Sequence, residues 1–234
     1  MSKSIPAKRV LSEFFSKLNN SNNKVLKMQS SIDLNQMKRI FAREARLFYR
    51  EKRNREFQVD TDNKKYFNQI CKYFSRDSLF EIDHEGDLNK GLFVYGNSGS
   101  GKTTSFKIIQ SISQKYNLKQ LWFPFIETQE VVNKFNSDKN KDSIIKNYSK
   151  GNFMFDELGA ETTAQNVFVF GKEDIFIRIL EARYNQFVDK GVKTHITCNL
   201  TLEEIRKRYG PRVEDRFYEM FNLVPLNVTG KSRR

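Results

Sequence analysis

The stretch GLFVYGNSGSGKTT, residues 91–104, governs how the rest of the chain is read. GLFVY (91–95) is a short apolar run of the kind that forms a strand buried on both faces. GNSGSGKT (96–103) follows and satisfies G-x-x-x-x-G-K-[ST] in full. Its glycines let the backbone wrap a phosphate chain without Cβ clashes. Successive N–H groups then point inward, and the next helix, expected to run through Tyr116, presents its positive end. A phosphate cradle for ATP is therefore expected from Gly96, Asn97, Ser98, Gly99, Ser100, Gly101, Lys102, Thr103 and Thr104. Lys102 is expected at the β- and γ-phosphates and Thr103 at Mg²⁺.

Downstream, apolar runs alternate with helical stretches. LWFPF (121–125) reads as a second strand, with a helix near Glu127–Phe135. NFMFD (152–156) reads as a third, followed by a long helix over Lys172–Asp189. THITC (194–198) and LVPLNV (223–228) complete the set. Five strands separated by helices predict an α/β fold with a parallel sheet flanked by helices. NFMFDE closes on two carboxylates. Asp156 is expected to hold Mg²⁺, and Glu157 to orient or deprotonate an attacking water. An apolar run ending in an acid is common; about fifty residues after the glycine loop it gains meaning. Asn199 ends THITCNL. Its amide can meet a γ-phosphate or the lytic water, or simply make a strand-end turn. His195 reads as a strand residue.

The net charge of +13 is unevenly placed. Residues 1–57 hold 14 Lys and Arg against 5 Asp and Glu, which is +9 of the total. This asymmetry points to a polyanionic partner, nucleic acid first. A short helix is expected around Lys8–Leu18 and a flexible joint at NNSNNK (19–24). Residues 33–56 read as one helix opened by an Asp33/Gln36 capping box. Leu34, Met37, Phe41, Ala45 and Phe48 share one face. Arg39, Arg43, Arg46, Arg50 and Arg53 lie nearly opposite, with Glu44 and Glu51 nearby. That stripe is either a solvated face or a candidate DNA contact. A further helix is expected at Lys64–Phe74.

No run approaches the roughly 20 apolar residues of a membrane span, and the start lacks a signal core, so a cytoplasmic protein is expected. Cys71 and Cys198 form no CxxC pair, so both read as reduced thiols and no zinc site is expected.

Taken in order, GNSGSGKTT, FMFDELGAE, ARYNQF (182–187), THITCNL, YGPRVEDRFYEMFN (209–222) and VTGKSRR (228–234) resemble the AAA+ ATPases. Within them the chain looks like the DnaC-type helicase loaders and their phage relatives, close to the IstB-type transposition ATPases. The resemblance covers roughly residues 60–234 and implies an AAA+ ATPase domain at 58–234. Because the chain stops soon after the fifth strand, no large lid domain is expected. Residues 1–57 would be a basic helical region for partner or DNA binding. The resemblance implies that Arg216 is an arginine finger reaching a neighbouring protomer's ATP, hence self-association through the ATP interface. Arg212 either assists it or faces solvent. Arg233 or Arg234 resembles the sensor-2 arginine at the nucleotide.

The function implied is ATP-dependent loading of a replicative DNA helicase onto single-stranded DNA. Two alternatives stay open: an IstB-like partner of a transposase, and a nucleotide-gated DNA-binding module with negligible turnover.

Overall fold

The glycine loop leaves the carboxyl end of a strand inside a five-stranded parallel sheet, in a computed structural model that describes residues 32–161, 165–168 and 171–227. In chain order the strands are β1 (Gly91–Tyr95), β2 (Phe125–Glu127), β3 (Phe153–Leu158), β4 (Gln165–Phe168), β5 (Gly171–Asp174), β6 (Thr194–Cys198) and β7 (Phe221–Pro225). The main sheet runs β2-β3-β6-β1-β7, with every neighbouring pair parallel. β4 and β5 form a separate antiparallel hairpin. The helices are α1 (Leu34–Arg53), α2 (Thr61–Phe74), α3 (Leu79–His84), α4 (Lys102–Lys115), α5 (Thr128–Ser137), α6 (Lys141–Ser149), α7 (Ile175–Lys190), α8 (Leu202–Tyr209) and α9 (Pro211–Met220).

Both faces of the sheet are covered, which is why its strands read as continuous apolar runs. Phe93, Phe155 and Ile196 join a core with Phe176 and Ile179 of α7 and Phe217 of α9. The next residue along β6, His195, points the other way, among the rings of Phe74, Phe106 and Phe123. Its Nδ1 accepts the Leu92 N–H at 3.1 Å. Burial, helped by Lys193 and Arg183, drives its pKa down to about 3, so the ring is a neutral core residue. Arg183 is fully buried on α7. It donates to Thr194 Oγ1 and to the carbonyls of Tyr148, Gly151 and Lys193, tying the entrance of β3 to β6.

The expected capping box of α1 forms: Asp33 accepts from Gln36 N–H at 2.8 Å, and Gln36 Oε1 accepts from Asp33 N–H at 3.2 Å. Several boundaries differ from those expected, three of them as follows. The second strand starts at Phe125 instead of Leu121, because Pro124 has no N–H and contributes only its carbonyl, to Met154 N–H. The helix expected from Lys172 starts at Ile175. Residues 171–174 pair in the hairpin, and Asp174 caps α7 by accepting from Phe176 N–H. The last strand starts two residues early, directly behind α9.

Residues from Asp33 onward group as one unit, so α1 lies with the glycine loop and the division expected at 57/58 falls inside it. The helix expected at Lys8–Leu18 and the joint at 19–24 lie outside the described residues, as do Arg233 and Arg234. Among the described residues no helix is long and apolar enough to cross a membrane.

Candidate nucleotide site

Strand order builds the site. β6 lies between β1 and β3, so the loop after β1, the acids ending β3 and Asn199 beyond β6 meet at one carboxyl edge. Open α/β sheets bind ligands at that edge. A cavity of about 340 Å³ sits there, lined by Gly99–Thr104, Asp156, Glu157, Thr197 and Asn199, together with Tyr49, Arg53, Lys107 and Glu127.

The loop conformation needs its glycines. Gly96 has φ +139°, and a Cβ there would stand 2.2 Å from the Leu226 carbonyl. Gly101 has φ +100°, a left-handed turn that releases the chain directly into α4. Lys102 is the first residue of α4 and is 5% exposed. Its ammonium donates to the carbonyls of Gly96 and Asn97 and to Asn199 Oδ1, each at 2.8 Å. Asn199 therefore holds the lysine at the place where phosphate charge would arrive.

One turn face further, Thr103 Oγ1 donates to Asp156 Oδ1 at 2.8 Å. Thr197 donates to the same oxygen and accepts the Glu157 N–H at 3.0 Å. Burial raises the Asp156 pKa above the ordinary carboxylate value against these two hydroxyl donors, and the neighbouring Glu157 adds to the rise. In a regular strand Asp156 and Glu157 would point to opposite faces. Glu157 instead adopts φ +58°, a strained conformation for a residue with a Cβ, where the β3–β6 register shifts. Its N–H is held by Thr197 and its carbonyl by Thr128 Oγ1, so both carboxylates line one cavity.

Thr103 and Asp156 offer hard oxygens to one spot. Mg²⁺ takes one or two protein oxygens plus phosphate and water, so this donor set fits it. Among the described residues no group of three His, Cys, Asp or Glu suits a metal.

The arginines of RYGPRVEDRF (208–217) divide. Arg208 donates to Glu161, whose side chain is fully buried, and to the Gly159 carbonyl, fastening the segment after β3. Arg212 and Arg216 both reach Glu181 of α7, at 3.5 and 2.9 Å. Arg216 also stacks over Tyr184 at 4.7 Å. It does not line the cavity of its own chain.

On α1 the five arginines are exposed as their spacing predicts. Glu44 does not offset them as a surface charge would. It is buried, and it accepts from Lys115 Nζ and Tyr116 Oη at the end of α4 as well as from Arg43. Arg53 stands apart from the other four by lining the phosphate cavity. A second cavity, of about 430 Å³, shares Tyr49 and Ser100 with the first and is lined by Phe57, Asp60, Asn63 and Phe67.

No local sequence pattern marks Thr197, Lys107, Tyr49 or Phe57 as site residues. Their local patterns are those of ordinary strand and helix residues, and only the strand order and the α1–α4 packing bring them to the site.

This sheet order, glycine loop and paired acids define a P-loop fold of the AAA+ type, without a large lid among the described residues. The fold is similar to the crystal structure of DnaI, at 19% identity over 81% of this chain and 93% of that one, with a TM-score of 0.51. It is similar to the DnaC helicase loader, at 17% identity over 73% and 93% of the two chains, TM-score 0.50. A DNA replication initiation factor matches at 15% identity and TM-score 0.53, over 76% of this chain and half of its own. No protein-family model matches the sequence, and no curated protein matches it.

Proposed function

We propose that the chain is an ATP-binding and ATP-hydrolysing DNA replication protein that loads a replicative helicase onto single-stranded DNA. The observation that carries the ATPase reading is the convergence of Lys102, Thr103, Asp156, Glu157 and Asn199 on one cavity at the carboxyl edge of the sheet. The loop N–H groups and Lys102 would bind the phosphate chain, with Lys102 exchanging its carbonyl partners for phosphate oxygens. The base would lie in the adjoining cavity against Phe57 and Phe67. Thr103 and Asp156 would hold Mg²⁺, which supplies charge neutralisation at the phosphates when bound. Glu157 would orient or deprotonate the attacking water, and Asn199 would fix the γ-phosphate or that water. Arg216 would act from a neighbouring protomer, where a planar guanidinium suits the phosphoryl charge better than an ammonium. Arg234 is proposed at the nucleotide by resemblance alone.

The loader reading rests on the resemblance of the motif order, and the fold shared with the DnaC helicase loader supports it. Within residues 1–57 lies the proposed helicase grip, and Arg39, Arg43, Arg46 and Arg50 are proposed to meet single-stranded DNA. The protein would work in the cytoplasm. Affinity capture of the tagged full chain from its native cells, with ATP and Mg²⁺, tests this. Recovery of a replicative helicase that is lost on deleting residues 1–57 supports loading. Recovery of a transposase and no helicase would sink it and leave the ATP-site roles intact.

A further inference from the structure

α1 runs antiparallel along α4. Glu44, near the middle of α1, bonds Lys115 and Tyr116 at the carboxyl end of α4. Nine residues later, about 13 Å along the axis, α1 has returned to the amino end of α4. There Tyr49 Oη is the nearest atom that a Cβ on Gly101 would meet, at 3.8 Å. The helix then stops sharply: Asn54 turns left-handed, and the N–H groups of Asn54 and Arg55 both bond the Tyr49 carbonyl. Arg53 is the last helical residue before that stop. It is exposed and lines the cavity with the P-loop, and its side chain makes no hydrogen bond or ion pair to another described residue.

From this geometry we infer that Arg53 is a ligand of the nucleotide's phosphate chain, supplied in cis by α1. The inference rests on the reading that the cavity binds ATP. A guanidinium at the cavity wall adds a positive charge to a site that already holds Lys102 and Lys107, and gains most from the added charge of a triphosphate. Held through Arg53 at one end and Glu44 at its middle, α1 becomes tied to the occupancy of the site. The position of the carboxyl end of the helix that carries Arg39, Arg43, Arg46 and Arg50 is thereby coupled to nucleotide, while its middle stays packed on α4.

The test is Mg-ATP and Mg-ADP binding by calorimetry on the full chain, with hydrogen exchange of amides 46–58. ATP is expected to slow exchange of these amides in the unsubstituted protein. Arg53→Ala is expected to weaken ATP about tenfold and ADP less, and to abolish that slowing. Arg53→Lys is expected to recover part of the affinity. Lys52→Ala removes one positive charge from the same turn outside the cavity and is expected to bind ATP normally. Unchanged melting without nucleotide separates loss of a ligand from loss of fold. If Arg53→Ala binds ATP normally while Lys102→Ala does not, the inference fails and the ATP site stands. If Lys52→Ala weakens ATP equally, the effect is diffuse charge and the inference also fails. If the unsubstituted chain binds no Mg-ATP, the nucleotide reading falls and takes this one with it.

Discussion

Arg216 donates to Glu181 at 2.9 Å within its own chain, with its guanidinium stacked over Tyr184. The side chain is only 13% exposed, yet it stands outside the cavity it is proposed to serve. Glu181 and Tyr184 therefore hold the guanidinium against α7, and action in trans would require it to exchange Glu181 for a neighbour's phosphate. If it acts in trans, Arg216→Ala should cut ATP turnover about a thousandfold and leave nucleotide affinity within about threefold. Mixing Arg216→Ala with Glu157→Gln should restore part of the activity, because one mixed interface then has an intact finger and an intact site. No recovery in the mixture would place Arg216 outside a shared site.

Asn199 and Lys102 give a second test. Asn199→Asp would set a carboxylate 2.8 Å from the ammonium, an ion pair that competes with incoming phosphate. ATP affinity should fall tenfold or more on the order of a lost charge-assisted contact. Asn199→Ala removes only the amide and should spare affinity while slowing turnover about 10- to 100-fold. Titration calorimetry and a steady-state phosphate assay separate the two outcomes.

Asp156 is buried at a cost to its charged form. Its carboxyl is desolvated and its pKa raised. A raised carboxyl stabilises the fold below the ordinary Asp pKa and loses that contribution as pH rises through the folded value. Asp156→Asn keeps an acceptor for Thr103 and Thr197 but not the charge. Without nucleotide it should melt higher near neutral pH, by about 2–4 °C, with a flatter pH dependence in the acidic range. Mg²⁺-dependent hydrolysis should vanish. A variant that melts lower would show that the ionised carboxylate stabilises the fold.

Thr197 positions both acids through one hydroxyl. Thr197→Val keeps the shape and leaves the Glu157 N–H without its partner, which should cost about 1–3 kcal/mol. Turnover should fall more than ATP affinity, because Glu157 loses the bond that supports its left-handed backbone. Thr197→Ser should restore turnover. Equal loss in binding and turnover would assign Thr197 to ground-state binding instead.

Features written in consecutive residues were legible from the amino acids. The capping box of Asp33 and Gln36, the G-x-x-x-x-G-K-T loop and the apolar run closing on Asp156 and Glu157 each depend on neighbours a few positions apart. Their geometry follows from helix and strand periods and from backbone freedom at glycine. The alternation of strands and helices likewise implied a parallel sheet.

Relations between distant residues were not legible, because the same patterns allow several packings. Placing β6 between β1 and β3 sets Asn199 on Lys102 and Thr197 on Asp156. The hairpin of β4 and β5 takes residues 171–174 from the start of an expected helix, since a ladder partner outweighs a weak local preference. Arg53 belongs by spacing to a uniform stripe; the antiparallel seat of α1 on α4 is what brings it to the P-loop. Local chemistry sets which elements form and which groups they carry. Burial of their apolar faces against one another sets which of those groups meet.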